Sequence, residues 1–136
     1  MRIFFAHSSA DPPAEIEKMA KQLKLFLLDR GAPKVTVTTG RKDYSRNFRG
    51  DWKGWAEGVV SRINATTRKP VYDMVIVPDR RCGRATAQLI SAWIGADRPA
   101  VFWDKNNSLK KIYTVDLVDP DDWSTGHEIV LVGEEG

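Results

Sequence analysis

A single cysteine, Cys82, in a chain of 136 residues excludes an internal disulfide framework and any metal site built on several thiolates, and it fits a reducing cytoplasm. Histidine is almost as scarce. His7 and His127 stand far apart without clustered partners, so no metal centre is expected. No apolar run approaches the roughly eighteen residues of a membrane span, and RIFFA (2–6) is too short for a signal-peptide core. Also missing are a GxxxxGK[ST] phosphate loop, a GxGxxG dinucleotide fingerprint and a GxSxG nucleophile elbow, which weighs against nucleoside triphosphatases, dinucleotide dehydrogenases and esterases. The expectation is a soluble, cytoplasmic protein with no membrane contact and no cofactor.

What the chain does have is core-forming material. Hydrophobic residues make up 42% of it and five are tryptophan, enough for one compact domain over residues 1–136. Net charge is only +3, yet the basic residues gather in RKDYSRNFRGDWK (41–53), DRRCGR (79–84) and DKNNSLKK (104–111). Clustering of this kind suits a phosphate-bearing ligand, although any one cluster alone reads more readily as a solvated loop.

RIFFAH (2–7) reads as a buried strand running into a helix that Ser8, Ser9 or Asp11 would cap. From Ala14 to Arg30, Ile16, Met19, Ala20, Leu23, Phe26 and Leu27 follow helical spacing, and Gly31 and Pro33 stop the helix. KVTVTT (34–39) is a second strand, reached by a crossover helix as a parallel neighbour would be. GRKDYSRNFRG (40–50) shows no periodicity and reads as a long functional loop. A second helix, capped by Asp51, carries Trp52, Trp55, Val59 and Ile63; VYDMVIVP (71–78) reads as the central strand. Residues 83–96 form a third helix and PAVFWD (99–104) a fourth strand, with KIYTVDLV (111–118) and HEIVLV (127–132) extending the sheet.

This alternation predicts a single-domain α/β fold: a doubly wound, Rossmann-like (flavodoxin-like), mostly parallel sheet of about five to six strands with helices on both faces. Ligands of such sheets bind beyond the carboxyl ends of the strands. That rule selects HSSAD (7–11), the segment 39–51, PDRRCGR (78–84) and WDKNN (103–107). His7 either contacts a ligand or acts as a base, or it is a strand-end histidine bonded to backbone. Ser8 and Ser9 would bind phosphate or cap the first helix. Tyr44 and Phe48 are placed to stack on a ring, Arg46 with Arg41 and Arg49 to pair with phosphate, and Asp43 or Asp51 to bond base edges. In the turn before the third helix, Gly83 admits close backbone approach, and Arg80, Arg81 and Arg84 supply charge beside free amides.

DRRCGRATAQLISAWIGADRP (79–99) resembles the nucleoside 2-deoxyribosyltransferase and nucleotide N-glycosidase superfamily, whose members typically read D-x-x-x-G-[small]-x-x-E-[LIV]-G-x-A followed by G-[KR]-P. The resemblance implies a nucleoside or nucleotide ligand and glycosyl transfer through a helix carboxylate. It places position 88 at the reacting centre near Asp79, with Ser8, Ser9 and the Gly83 turn around the substrate phosphate; His7 as a base, and Arg81 and Arg84 as phosphate partners, join them by position and charge alone. Position 88 is Gln, one residue further from Gly83 than the pattern expects, and a carboxamide cannot be that nucleophile. Three readings stay open: catalysis from another residue, binding without cleavage, or Gln88 in place of a natural Glu.

IFFAHSSAD (3–11) also resembles the opening strand of TIR domains, which would put Glu57 in the catalytic role and point to NAD-related chemistry. The expected partner is a small nucleoside or nucleotide rather than nucleic acid, since no basic recognition helix is evident. The first family further implies a homo-oligomer.

Overall fold

The computed structural model describes residues 1–7, 11–47, 58, 72–104, 108–122 and 124–134. The elements are β1 (Arg2–Phe5), α1 (Pro13–Asp29), β2 (Thr36–Thr39), α2 (Gly40–Asn47), β3 (Met74–Val77), β4 (Arg81–Cys82), α3 (Arg84–Gly95), β5 (Ala100–Asp104), β6 (Ser108–Leu117) and β7 (His127–Leu131). They build one mixed sheet ordered β2-β1-β3-β5-β6-β7-β4. The first four strands in that order are mutually parallel; β6, β7 and β4 join by antiparallel pairing. The sheet thus has seven strands rather than five to six.

Side chains of β1 and β3 alternate between two cores. Ile3, Phe5 and Ile76 meet Leu23 and Leu27 of α1 on one face. Phe4, Val75 and Val77 meet Leu89, Ile90 and Trp93 of α3 on the other. Burial on both faces is what makes these strands continuous apolar runs in the sequence, and each such side chain contributes about 1.5–3 kcal/mol of burial. On α1 the buried positions Ile16, Ala20, Leu23 and Leu27 form one stripe. The helix ends where Gly31, at φ +94°, lets the Ala32 amide turn back to the Leu27 carbonyl and the Gly31 amide to that of Leu28.

Residues 40–47, expected as loop, are helical. Thr39 caps α2, its Oγ1 accepting the Lys42 amide at 3.1 Å. One turn in, Asp43 is buried and its Oδ2 accepts the Tyr72 hydroxyl at 2.5 Å. Tertiary bonds of this kind hold a helix whose own sequence offers no apolar stripe.

The basic turn after β3 contains β4, which pairs with β7. The connection dictates the shape of the sheet. From Val77 to Arg81 the chain reaches roughly 14 Å, whereas in a flat sheet β4 would lie four strand spacings from β3, roughly 19 Å away. The antiparallel half must therefore curl back over the parallel half. The bend falls in β6, whose residues 108–111 pair with β5 and 112–117 with β7, with an irregular register between Ile112 and Thr114.

The helix expected from Asp51 lies outside the described residues apart from Gly58. No described helix is long and apolar enough to cross a membrane.

Candidate functional site

α1 and α2 follow β1 and β2 of the parallel half, and α3 follows β3 through the turn that holds β4; the first-turn amides of each helix lack intrahelical partners. The three termini differ in what already fills them. In α1, Pro13 contributes no N–H and Glu15 places an acid in the first turn. In α2, two amides are taken: Lys42 by Thr39, and Arg41 by Nε2 of His7 at 3.1 Å. Only α3, among these three, combines a first turn without acid, a basic residue, Arg84, and an extended N-cap, Gly83, that makes no side-chain capping bond. Its first backbone bond runs from the Ala87 amide to the Gly83 carbonyl, leaving the amides of 84–86 outside the helical ladder. An anion is favoured at such a terminus by about 0.3–1 kcal/mol from the helix dipole alone.

His7 therefore occupies the strand-end, backbone-bonded position that the sequence left as one of two alternatives. Because Nε2 accepts the Arg41 amide, the neutral ring carries its proton on Nδ1.

The turn between β3 and α3 is tied to the antiparallel half. The Arg80 carbonyl accepts the Ile129 amide at 2.7 Å, Arg80 Nε donates to the Ile129 carbonyl at 3.2 Å, and Nη2 donates to Glu134 Oε1 at 2.6 Å. Glu134 Oε1 also accepts the Leu131 amide, and these bonds hold its carboxyl below the usual range, the Leu131 amide contributing most. Arg81 Nε donates to the Thr125 carbonyl at 2.8 Å. Two of the three arginines predicted to bind phosphate thus brace the fold, and Arg84 stands exposed at the helix start. Asp79 is half-buried at the end of β3. Burial pushes the Cys82 thiol up to about 11, which removes it as a nucleophile near neutral pH.

Gln88 is exposed on α3 and lines an open groove of about 320 Å³ with Ala87, Ser91, Val115, Leu117 and His127. The residues around His7 (Phe5, Gly40, Arg41) and those around Gln88 do not overlap. Gln88 thus faces the β6–β7 hairpin. Across the groove, Nδ1 of His127 is shielded from solvent and finds no hydrogen-bond partner among the described residues. A polar atom left so costs about 1–3 kcal/mol.

Ser8, Ser9, Phe48, Arg49 and Asp51, with Glu57, lie outside the described residues; Tyr44 and Arg46 fall on α2, and their side chains are likewise not described. Asp43 is buried with Tyr72 instead of standing at the edge. His127 was missed as a groove residue, yet the signal was present: in HEIVLV it shares the alternation of Ile129 and Leu131, both buried toward α3. Among the described residues, no three carboxylate, imidazole or thiol groups gather to hold a metal ion.

Comparison with known protein families, curated proteins and solved structures finds no match to this chain.

Proposed function

We propose that this domain binds a nucleoside or nucleotide without cleaving it, seating an anionic phosphate on the first turn of α3. The observation that carries the reading is the contrast among helix starts: α1 and α2 are filled by proline, acid, threonine and histidine, whereas α3 starts with Arg84 behind a Gly83 that makes no side-chain capping bond and has no acid in its first turn. The doubly wound, flavodoxin-like description goes with this proposal, supported by the strand order β2-β1-β3-β5 and by α1 and α3 on opposite faces. So does a cytoplasmic location, supported by the single buried thiol.

Calorimetry with deoxynucleoside 5′-monophosphates, the matching deoxynucleosides and inorganic phosphate tests it. Arg84→Ala should weaken the monophosphates by on the order of 1–3 kcal/mol, the worth of a charge-assisted hydrogen bond, and leave the nucleosides unchanged. Equal monophosphate affinity in both proteins would remove the phosphate site.

The catalytic reading, an N-glycosidase or deoxyribosyltransferase, has one observation in its favour: position 88 opens onto a groove of ring size. It predicts that Gln88→Glu releases free base from deoxynucleosides or their monophosphates, followed by chromatography. No base from either protein leaves binding alone.

A further inference from the structure

We infer that the groove between α3 and the β6–β7 hairpin is the binding site of a neutral, planar, nucleobase-sized heterocycle, whose polar edge meets Gln88, Ser91 and His127 while its face lies on Val115 and Leu117. The groove has about 320 Å³ and no charged side chain in its lining. That volume sits at the small end of the roughly 300–1,000 Å³ typical of ligand pockets. A charged ring would find no counter-charge there; a neutral one needs none.

Three polar groups converge from two separate parts of the chain. The Gln88 carboxamide presents donor and acceptor side by side, the arrangement that pairs with the donor–acceptor edge of a base. Ser91 lies nearly one turn further along the same exposed stripe of α3 and offers a hydroxyl able to act as either. His127 is fixed opposite them, because its backbone is paired with Cys82 on one side and Leu117 on the other. Its Nδ1 is closed off from solvent, so the imidazole meets the groove through the rest of its ring. Leu117, 59% exposed at the rim, is the apolar surface that a ring would cover.

The groove begins at Gln88, four residues beyond Arg84, which is roughly 6 Å along the helix. One nucleotide can therefore place its phosphate on the first turn of α3 and its base in the groove, a geometry that rests on the phosphate reading above. It moves the base away from residues 41–51 and onto the hairpin.

The chain has two histidines, so the imidazole resonances can be assigned with His7→Gln and His127→Gln. Titration with adenosine, cytidine, guanosine or uridine should shift the His127 imidazole and leave His7 in place, with ribose as the inert control. Ser91→Trp, at an exposed position, should fill the groove and weaken nucleoside binding at least tenfold with unchanged circular dichroism. Gln88→Ala should weaken it severalfold and covers the case in which tryptophan disturbs the helix. If no nucleoside moves His127, or both variants bind as the parent does, the proposal is overturned. Nucleoside binding in the groove, with no effect of phosphate or of Arg84→Ala, would sink the phosphate site and keep the groove. Phosphate-dependent binding that leaves His127 untouched would do the reverse.

Discussion

The two halves of the sheet are held in different ways. In β2-β1-β3-β5, Ile3, Phe5, Val75 and Ile76 are fully buried, and two helices cover two faces. In β6-β7-β4, one face packs on α3 while Tyr113 and Leu117, with Val132 just beyond β7, remain exposed, and the far end is fastened by polar staples from Arg80 and Arg81. The first half is positioned by nonspecific burial along whole strands; the second by a few directional bonds that fix where the hairpin lies over α3. The phosphate and base sites proposed above lie at their junction.

The comparison can be broken most severely at Trp93, which is fully buried in the core shared by both halves. Trp93→Ala should cost about 3–5 kcal/mol in urea unfolding, as one transition seen by every probe. Two separated transitions would show that the halves fold independently.

Arg80→Ala should act on the antiparallel half alone. Its side chain bridges the Ile129 carbonyl and Glu134, partly in solvent, so the loss should be about 1 kcal/mol, at the low end for bonds to a charged group. Hydrogen exchange should quicken at Leu131 and stay unchanged at Ile76. Equal quickening at both would erase the distinction between the halves.

The smallest effect is on pH. Hydrogen bonds from the Thr125 hydroxyl, then from the Thr125 and Ser124 amides, pull Asp122 from 3.8 down to about 2. Glu134 is lowered by the Leu131 amide and Arg80. A carboxylate whose folded pKa lies below its unfolded value stabilises the fold above roughly pH 4 and loses that contribution as pH falls through the folded value. Amide resonances of Ser124, Thr125 and Leu131 should therefore shift between about pH 4 and pH 2 before those of β1 and β3. In the parallel half the corresponding group is Asp73, lowered by the Arg2 amide, so Asp73→Asn is the control that separates the two regions.

Legibility from sequence followed the type of force. RIFFAH and VYDMVIVP announced their strands because two-sided burial demands an unbroken apolar run, and residues 83–96 announced α3 through the spacing of Ala87, Ile90 and Trp93. GRKDYSRN did not announce α2, because, Thr39 apart, the bonds that hold it come from residues distant in the chain, His7 and Tyr72. The bonds of Arg80 and Arg81 to backbone carbonyls were not legible, since charge in a turn reads the same whether it meets a phosphate or a carbonyl. Gln88 was singled out as the position of a glycosyl nucleophile; that it shares a groove with His127 was not legible, because His127 comes from the far end of the chain.

By itself the sequence determined the strands and helices with an apolar stripe or run and the parallel alternation, because those depend on local pattern and composition. The tertiary structure alone decided which helix start lacks a side-chain cap and an acid, which arginines bond to carbonyls, and that Gln88 shares a groove with a histidine. Those outcomes depend on the short connection from β3 to β4, which curls the antiparallel half back over α3.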